Sequence, residues 1–98
     1  MALRSELRDV LVRAHECLSE LGIYGTESAH AVKHAKQAVA SEPFRETSYQ
    51  LLMRAYATVG YRAEALQVYE RCRSLLSEEL GETPSLQTKA VYLEILRS

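Results

Sequence analysis

The sequence predicts an all-α fold of five helices: two helical hairpins and a C-terminal capping helix, forming one domain over residues 1–98. Three observations predict it. Apolar residues recur at three- and four-residue spacing along the chain, and no alternating run bounded by turn residues marks a strand. The few glycines and prolines fall between the periodic segments, at Gly22 and Gly25, Pro43, Gly60, and Gly81 with Pro84. The second and fourth segments also superimpose at an offset of 34 residues, which makes the hairpin the repeating unit.

The first helix is expected from Ala2 to Leu21. Leu3, Leu7, Val10, Leu11, Ala14, Cys17, Leu18 and Leu21 form its apolar stripe. Arg4, Glu6, Arg8, Asp9, Arg13, Glu16 and Glu20 make a charged face that only Val12 interrupts, and that face is expected in water. The second helix follows Thr26 or Ser28, either of which can cap it by accepting from an orphan backbone amide. It is rich in small residues (Ala29, Ala31, Ala35, Ala38) and ends at Ser41-Glu42-Pro43, because proline disfavours helical geometry in the residue before it.

The third helix is expected from Arg45 to Val59, with Tyr49, Leu52, Tyr56 and Val59 on one stripe. Gly60 ends it in the left-handed conformation that glycine adopts without a Cβ penalty. The fourth runs from Arg62 to Leu80 with Ala65, Leu66, Tyr69, Cys72, Leu76 and Leu80 inward, and Gly81 closes it. Thr83 followed by Pro84 reads as an N-cap and first helical position, opening a fifth helix to Leu96.

At the 34-residue offset Ala31 aligns with Ala65, Ala35 with Tyr69, Ala38 with Cys72, and more loosely Leu18 with Leu52. That is the tetratricopeptide period, and the second unit carries the pattern best, at Tyr49, Leu52, Tyr56, Gly60, Ala65 and Tyr69. Its physical basis is size alternation. Small side chains at Ala31 and Ala65 let paired helices nest, while Tyr56 and Tyr69 fill the gap to the next layer.

Composition limits the function. Hydrophobic residues make up 47% and charged residues 26%, and 13 acids nearly cancel 12 bases, so no basic stripe exists to neutralise several phosphates. DNA binding by this segment alone is therefore not expected. Arg71 and Arg73 share their helix with Glu64, Glu70, Glu78 and Glu79, which would repel a phosphate backbone. Cys17 and Cys72 sit within helical patterns as buried free thiols, a usage suited to a reducing cytoplasm. No apolar run approaches membrane-spanning length, and the N-terminus lacks the apolar core of a secretion signal. Cytoplasmic localisation follows.

The stretches SEPFRE, LLMRAYATVGYRAEALQVYERCRSLLSEELGETPS and VYLEIL resemble the C-terminal part of the bacterial transcriptional activator domain of SARP-type antibiotic regulatory proteins. The residues carrying the resemblance are Pro43, Arg45, Glu46, Leu52, Met53, Gly60, Arg62, Glu64, Ala65, Leu66, Tyr69, Glu79, Leu80, Gly81 and Pro84. Phe44 stands where the family usually has leucine, and Tyr61 precedes the turn arginine. The likeness is close over little more than half the chain and looser over residues 1–41. It implies a tetratricopeptide-like module of a bacterial transcription regulator that acts by dimerising, contacting transcription machinery or relaying a signal. Its partner would be a second copy, a companion DNA-binding domain or that machinery. The winged-helix domain that usually precedes the module is not among these residues, which implies either a fragment or a stand-alone variant.

No catalytic or cofactor site emerges. Ser, His and acidic residues are present, but none lies in a nucleophile elbow and no Gly-rich loop follows a strand. His15-x-Cys17 and His30-x-x-x-His34 invite a metal reading, but no further ligand completes a set at the required spacing. Two surfaces remain as candidate sites. The first helices of the hairpins present Arg13, Glu16, Glu20, Thr47, Gln50, Arg54 and Thr58 to the concave groove, a mixed polar face suited to an extended peptide or partner helix. On the last helix Leu86, Ala90 and Leu93 form one stripe, with Val91 and Ile95 on another and Tyr92 and Leu96 between. Packing on the fourth helix consumes one stripe, and Val91, Tyr92, Ile95 and Leu96 are the candidate interface, serving a homodimer or a protein partner; a last helix wedged between two others would hide the same residues instead. The competing readings are a tetratricopeptide adaptor unrelated to transcription and a direct nucleic-acid binder.

Overall fold

The structure, a computed structural model, describes residues 8–16 and 28–98. These residues form α1 (residues 8–16), α2 (Ser28–Ser41), α3 (Glu46–Thr58), α4 (Arg62–Leu75) and α5 (Leu86–Arg97), with no strand among them. A π-helical turn, Leu76–Leu80, prolongs α4. Helix α2 packs on α3, α3 on α4, and α5 lies against both α3 and α4. The all-α fold expected from the periodicity is the fold observed.

Nesting of small residues sets the layer spacing. Ala31, Ala35, Ala38 and Ala65 expose no surface at all. Tyr69 fills the next gap by stacking on Tyr92 of α5, ring centroids 4.0 Å apart at 18°. Helix α3 has neighbours on several sides, so Ser48, Leu51, Met53 and Ala55 are buried in addition to Tyr49 and Leu52.

Both glycine stops behave as expected. Gly60 has φ +88°, its N–H bonds to the Ala57 carbonyl, and the Tyr61 N–H reaches back to Tyr56 at 2.8 Å, the bond pair that satisfies the last carbonyls of α3. Gly81 has φ +65°, and the Glu82 N–H bonds to Leu76, one residue further back because the π turn adds one.

Four details differ from expectation. Helix α1 turns the other way: Val12 exposes 0% while Val10 exposes 62% and Leu11 57%, and Ala14 is exposed as well. Glu16, four residues after Val12, is buried beside it because Arg45 supplies the counter-charge that permits burial. The rest of the expected α1 stripe (Leu3, Leu7, Cys17, Leu18, Leu21) lies outside the described residues. Leu80 is half-exposed, since the π turn carries it off the stripe that ends at Leu76. The N-cap of α5 is Ser85, not Thr83, and its side chain accepts from the Thr88 N–H at 3.3 Å. Pro84, buried, precedes the cap and holds Thr83 away from helical geometry. For α2, Ser28 is already helical, and Thr26 falls outside the described residues.

Candidate functional site

Arg45 and Glu46 are adjacent in sequence and bind opposite ends of the stack. Arg45 Nε donates to both Glu16 carboxylate oxygens at 3.0 and 2.9 Å, and its Nη2 lies 2.9 Å from Oε1. Ser48 Oγ donates to the same carboxylate at 2.8 Å, and Asp9 adds a longer contact to Arg45 at 3.9 Å. The hydrogen bond that Arg45 donates to the Glu16 carboxylate holds its guanidinium above the ordinary range, outweighing the opposing effect of burial. Glu16 was expected to line the groove; it is instead the acid that fastens α1 to α3.

Glu46 reaches the other way. Its Oε1 accepts from the Ser85 N–H at 2.8 Å and from the fully buried Thr88 hydroxyl at 2.7 Å. Gln50 Nε2 donates to Thr88 Oγ1 at 2.9 Å. At the far end of α5, Arg62 donates from Nε to the Ile95 carbonyl at 3.2 Å and from Nη2 to Leu96 at 2.9 Å. Those carbonyls lie in the last turn of α5, where helical donors run out and only Ser98 reaches back to Ile95, and a cation there also complements the helix dipole. Both ends of α5 are therefore pinned by side chains of α3 and of the first turn of α4.

The remaining groove residues divide. Arg13 is exposed and paired with Asp9 at 3.0 Å, one turn back on its own helix. Thr47 is exposed, and Glu20 lies outside the described residues. Gln50 is committed to Thr88. Arg54 and Thr58 do face an open hollow, whose other wall is Val91, Glu94 and Ile95 of α5 with Ser98 just beyond it. The groove is thus short and of mixed character, with Ala57, Val91 and Ile95 among its polar side chains and α5 as one wall.

The candidate interface is corrected by burial. Val91 and Ile95 belong to the core against α3 and α4, and Tyr92 is occupied by Tyr69. Leu96 is exposed, but the large apolar side chains left most open on α5 are Leu86, at 80%, and Leu93, at 45%. Helical periodicity separates the two stripes of α5 but does not say which one turns inward. The buried Thr88, on the same face as Val91 and Ile95, was the missed signal: a hydroxyl supplied with partners by Glu46 and Gln50.

Among the described residues nothing converges on a metal or a reactive group. His15 and His34 do meet across α1 and α2, Nδ1 to Nδ1 at 3.2 Å with stacked rings, but no three potential ligands cluster among the described residues. Cys17 lies outside the described residues. The Cys72 thiol is buried and pushed up to about 11 by that burial, with the charge of Glu46 adding to it, so it stays a neutral packing group. Every buried side-chain polar atom among the described residues has a hydrogen-bond partner. No described helix is long and apolar enough to cross a membrane.

Comparison with known proteins agrees with this architecture. The bacterial transcriptional activator domain family matches residues 2–96. The transcriptional regulatory protein MoaR1 of Mycobacterium tuberculosis is 34% identical over 83 residues, 85% of this chain and 27% of its own length. The regulatory protein AfsR of Streptomyces griseus is 35% identical over 95 residues, 97% of this chain and 10% of its own. Among solved structures, Mycobacterium tuberculosis EmbR in complex with a low-affinity phosphopeptide superimposes with a TM-score of 0.86 at 26% identity, over 95% of this chain and 24% of that one. The chain spans about a quarter or less of the length of each of these relatives. On these matches, and on the signature residues now seen to hold its layers together, the chain belongs to the bacterial transcriptional activator domain family of SARP-type regulators.

Proposed function

We propose that this chain is a protein–protein interaction module of a bacterial transcription regulator, working in the cytoplasm and without catalysis. One observation carries the reading. The signature residues Arg45, Glu46 and Arg62 are spent inside the stack, on Glu16, on Ser85 and Thr88, and on the end of α5. What they hold in place is a firm helical scaffold whose outer face, at Leu86 and Leu93, is apolar and exposed. A scaffold with satisfied polar groups and a bare apolar stripe suits docking a partner. Its near-neutral charge suits a protein partner better than a phosphate backbone.

The test is a fusion of the 98-residue chain to an unrelated DNA-binding domain, with transcription from that domain's operator as the readout. Expression should change several-fold relative to the DNA-binding domain alone. An unchanged reporter, with the fusion folded and bound at its operator, would remove the interaction reading. Retention of DNA by the isolated chain that falls steeply with salt would replace it with the nucleic-acid reading.

A further inference from the structure

We propose that the hollow between α2 and α4 seats an acidic segment of a partner protein, with one apolar side chain against Leu52 and Tyr56 and carboxylates paired with Lys36 and Arg71. The inference rests on the interaction function just proposed and names the chemistry of the partner.

Topology opens the hollow. Helices α2 and α4 both pack on α3 and not on each other, so α3 floors a gap between them. Lys36, Val39 and Ala40 of α2 line one side, Arg71 of α4 the other, and Leu52 and Tyr56 of α3 the floor. Tyr56 is the large side chain that the repeat places in this gap, and it leaves about 250 Å³ open.

Charge selects what fits. Both ionic side chains lining the hollow are cations, and no acid lines it. The hollow between α3 and α5 differs, since Arg54 and Glu94 give it one charge of each sign. Lys36 Nζ lies 5.6 Å from the Tyr56 ring centroid, a cation–π contact that steadies the ammonium at the mouth. Among the described residues neither Lys36 nor Arg71 has a carboxylate within ion-pair reach, and Glu70, next to Arg71 in sequence, is taken by Arg73 at 2.8 Å. In a chain of net charge −1, this is a locally positive seat with an apolar floor. It complements carboxylates that flank an apolar side chain.

Size decides between a free small molecule and a partner protein. Pockets that enclose a small organic ligand measure about 300–1,000 Å³ and bury most of its surface. This hollow is smaller, and Lys36, Ala40 and Arg71 at its mouth are exposed. It has room for a side chain held by a larger body outside. Exposed ion pairs are weak, so a short peptide should bind with a Kd on the order of 1 mM.

Amide-resolved NMR of the 98-residue chain tests the proposal, with a short blocked peptide in which glutamates flank one leucine as the probe, added to ~5 mM. Shifts should centre on the residues around Lys36, Tyr56 and Arg71, and the same peptide with lysines for glutamates should produce none. Lys36→Glu with Arg71→Glu should weaken binding more than tenfold. Both residues are exposed and outside any ion pair, so helicity and melting should match the parent. Arg8→Glu with Arg97→Glu, an equal change of charge elsewhere, should bind as the parent does. No shift at ~5 mM would overturn the proposal, as would shifts centred on another face or an equal response to the lysine peptide. Sodium benzoate matching the glutamate peptide at equal concentration would overturn it in favour of a small anion. In the reporter fusion, full activity of the folded K36E/R71E variant would defeat this seat alone. A silent parent fusion whose 98-residue chain still binds the peptide would defeat the interaction function alone.

Discussion

Glu16 and Cys72 show how burial changes what a side chain is. Glu16 has its full hydrogen-bonding capacity engaged by Arg45 and Ser48, so deleting one partner strands a buried charge. Arg45→Ala should cost about 1.5–3 kcal/mol in urea unfolding, and Glu16→Ala should cost far less in that background than alone, a coupling read from the double-mutant cycle. Cys72 makes a pH prediction. Its folded value, about 11, lies above the roughly 8.5 of an unfolded cysteine, so between those pH values the unfolded chain has lost a proton that the folded chain keeps. Stability from this group is complete below about pH 8.5 and is lost as pH rises toward 11. Burial also raises Tyr49 and Tyr69, which extends the same downward slope to higher pH. Melting temperature measured across the alkaline range should fall, and Cys72→Ala should flatten the first part of that fall. The sequence pattern placed Cys72 inward correctly because apolar neighbours at helical spacing flank it. It misplaced Glu16, because the partner that makes its burial tolerable stands 29 residues away.

Among the elements, the stops were legible and the rotation of α1 was not. Gly60 and Gly81 end their helices by a local backbone requirement, positive φ, that the residue type itself announces. Which face of a helix turns inward is instead decided by what lies against it, and α1 meets the rest of the chain through Val12, the Glu16 carboxylate and the His15–His34 contact. The same limit misassigned α5, where two apolar stripes compete and the buried one is chosen by the latches at Thr88 and Arg62. A pair of truncations separates the two accounts of α1. Val12→Ala should cost about 1–2 kcal/mol, while Leu11→Ala, which removes a larger but exposed side chain, should stay within about 0.5 kcal/mol. Equal costs in chemical denaturation would mean that α1 sits on its apolar stripe after all.

At the scale of the whole molecule, the stack depends on how closely α3 and α4 approach, and Ala65 sets that distance. It exposes no surface, and α4 carries onward both Tyr69, which stacks on Tyr92, and Arg62, which closes the end of α5. A larger side chain at residue 65 would push α4 away from α3 and loosen α5 with it, because both of those contacts ride on α4. Ala65→Leu should therefore destabilise by about 1–3 kcal/mol through overpacking, lowering the melting temperature by roughly 4–8 °C per kcal/mol for a domain of this size. The loss should appear as one cooperative transition, since the displaced helix is shared by the layers on either side. Ala63→Leu makes the same chemical change two residues earlier, at an exposed position, and should leave the transition nearly unmoved. Equal melting of the two variants would show that small residues do not set the layer spacing, and the 34-residue repeat would lose its physical meaning.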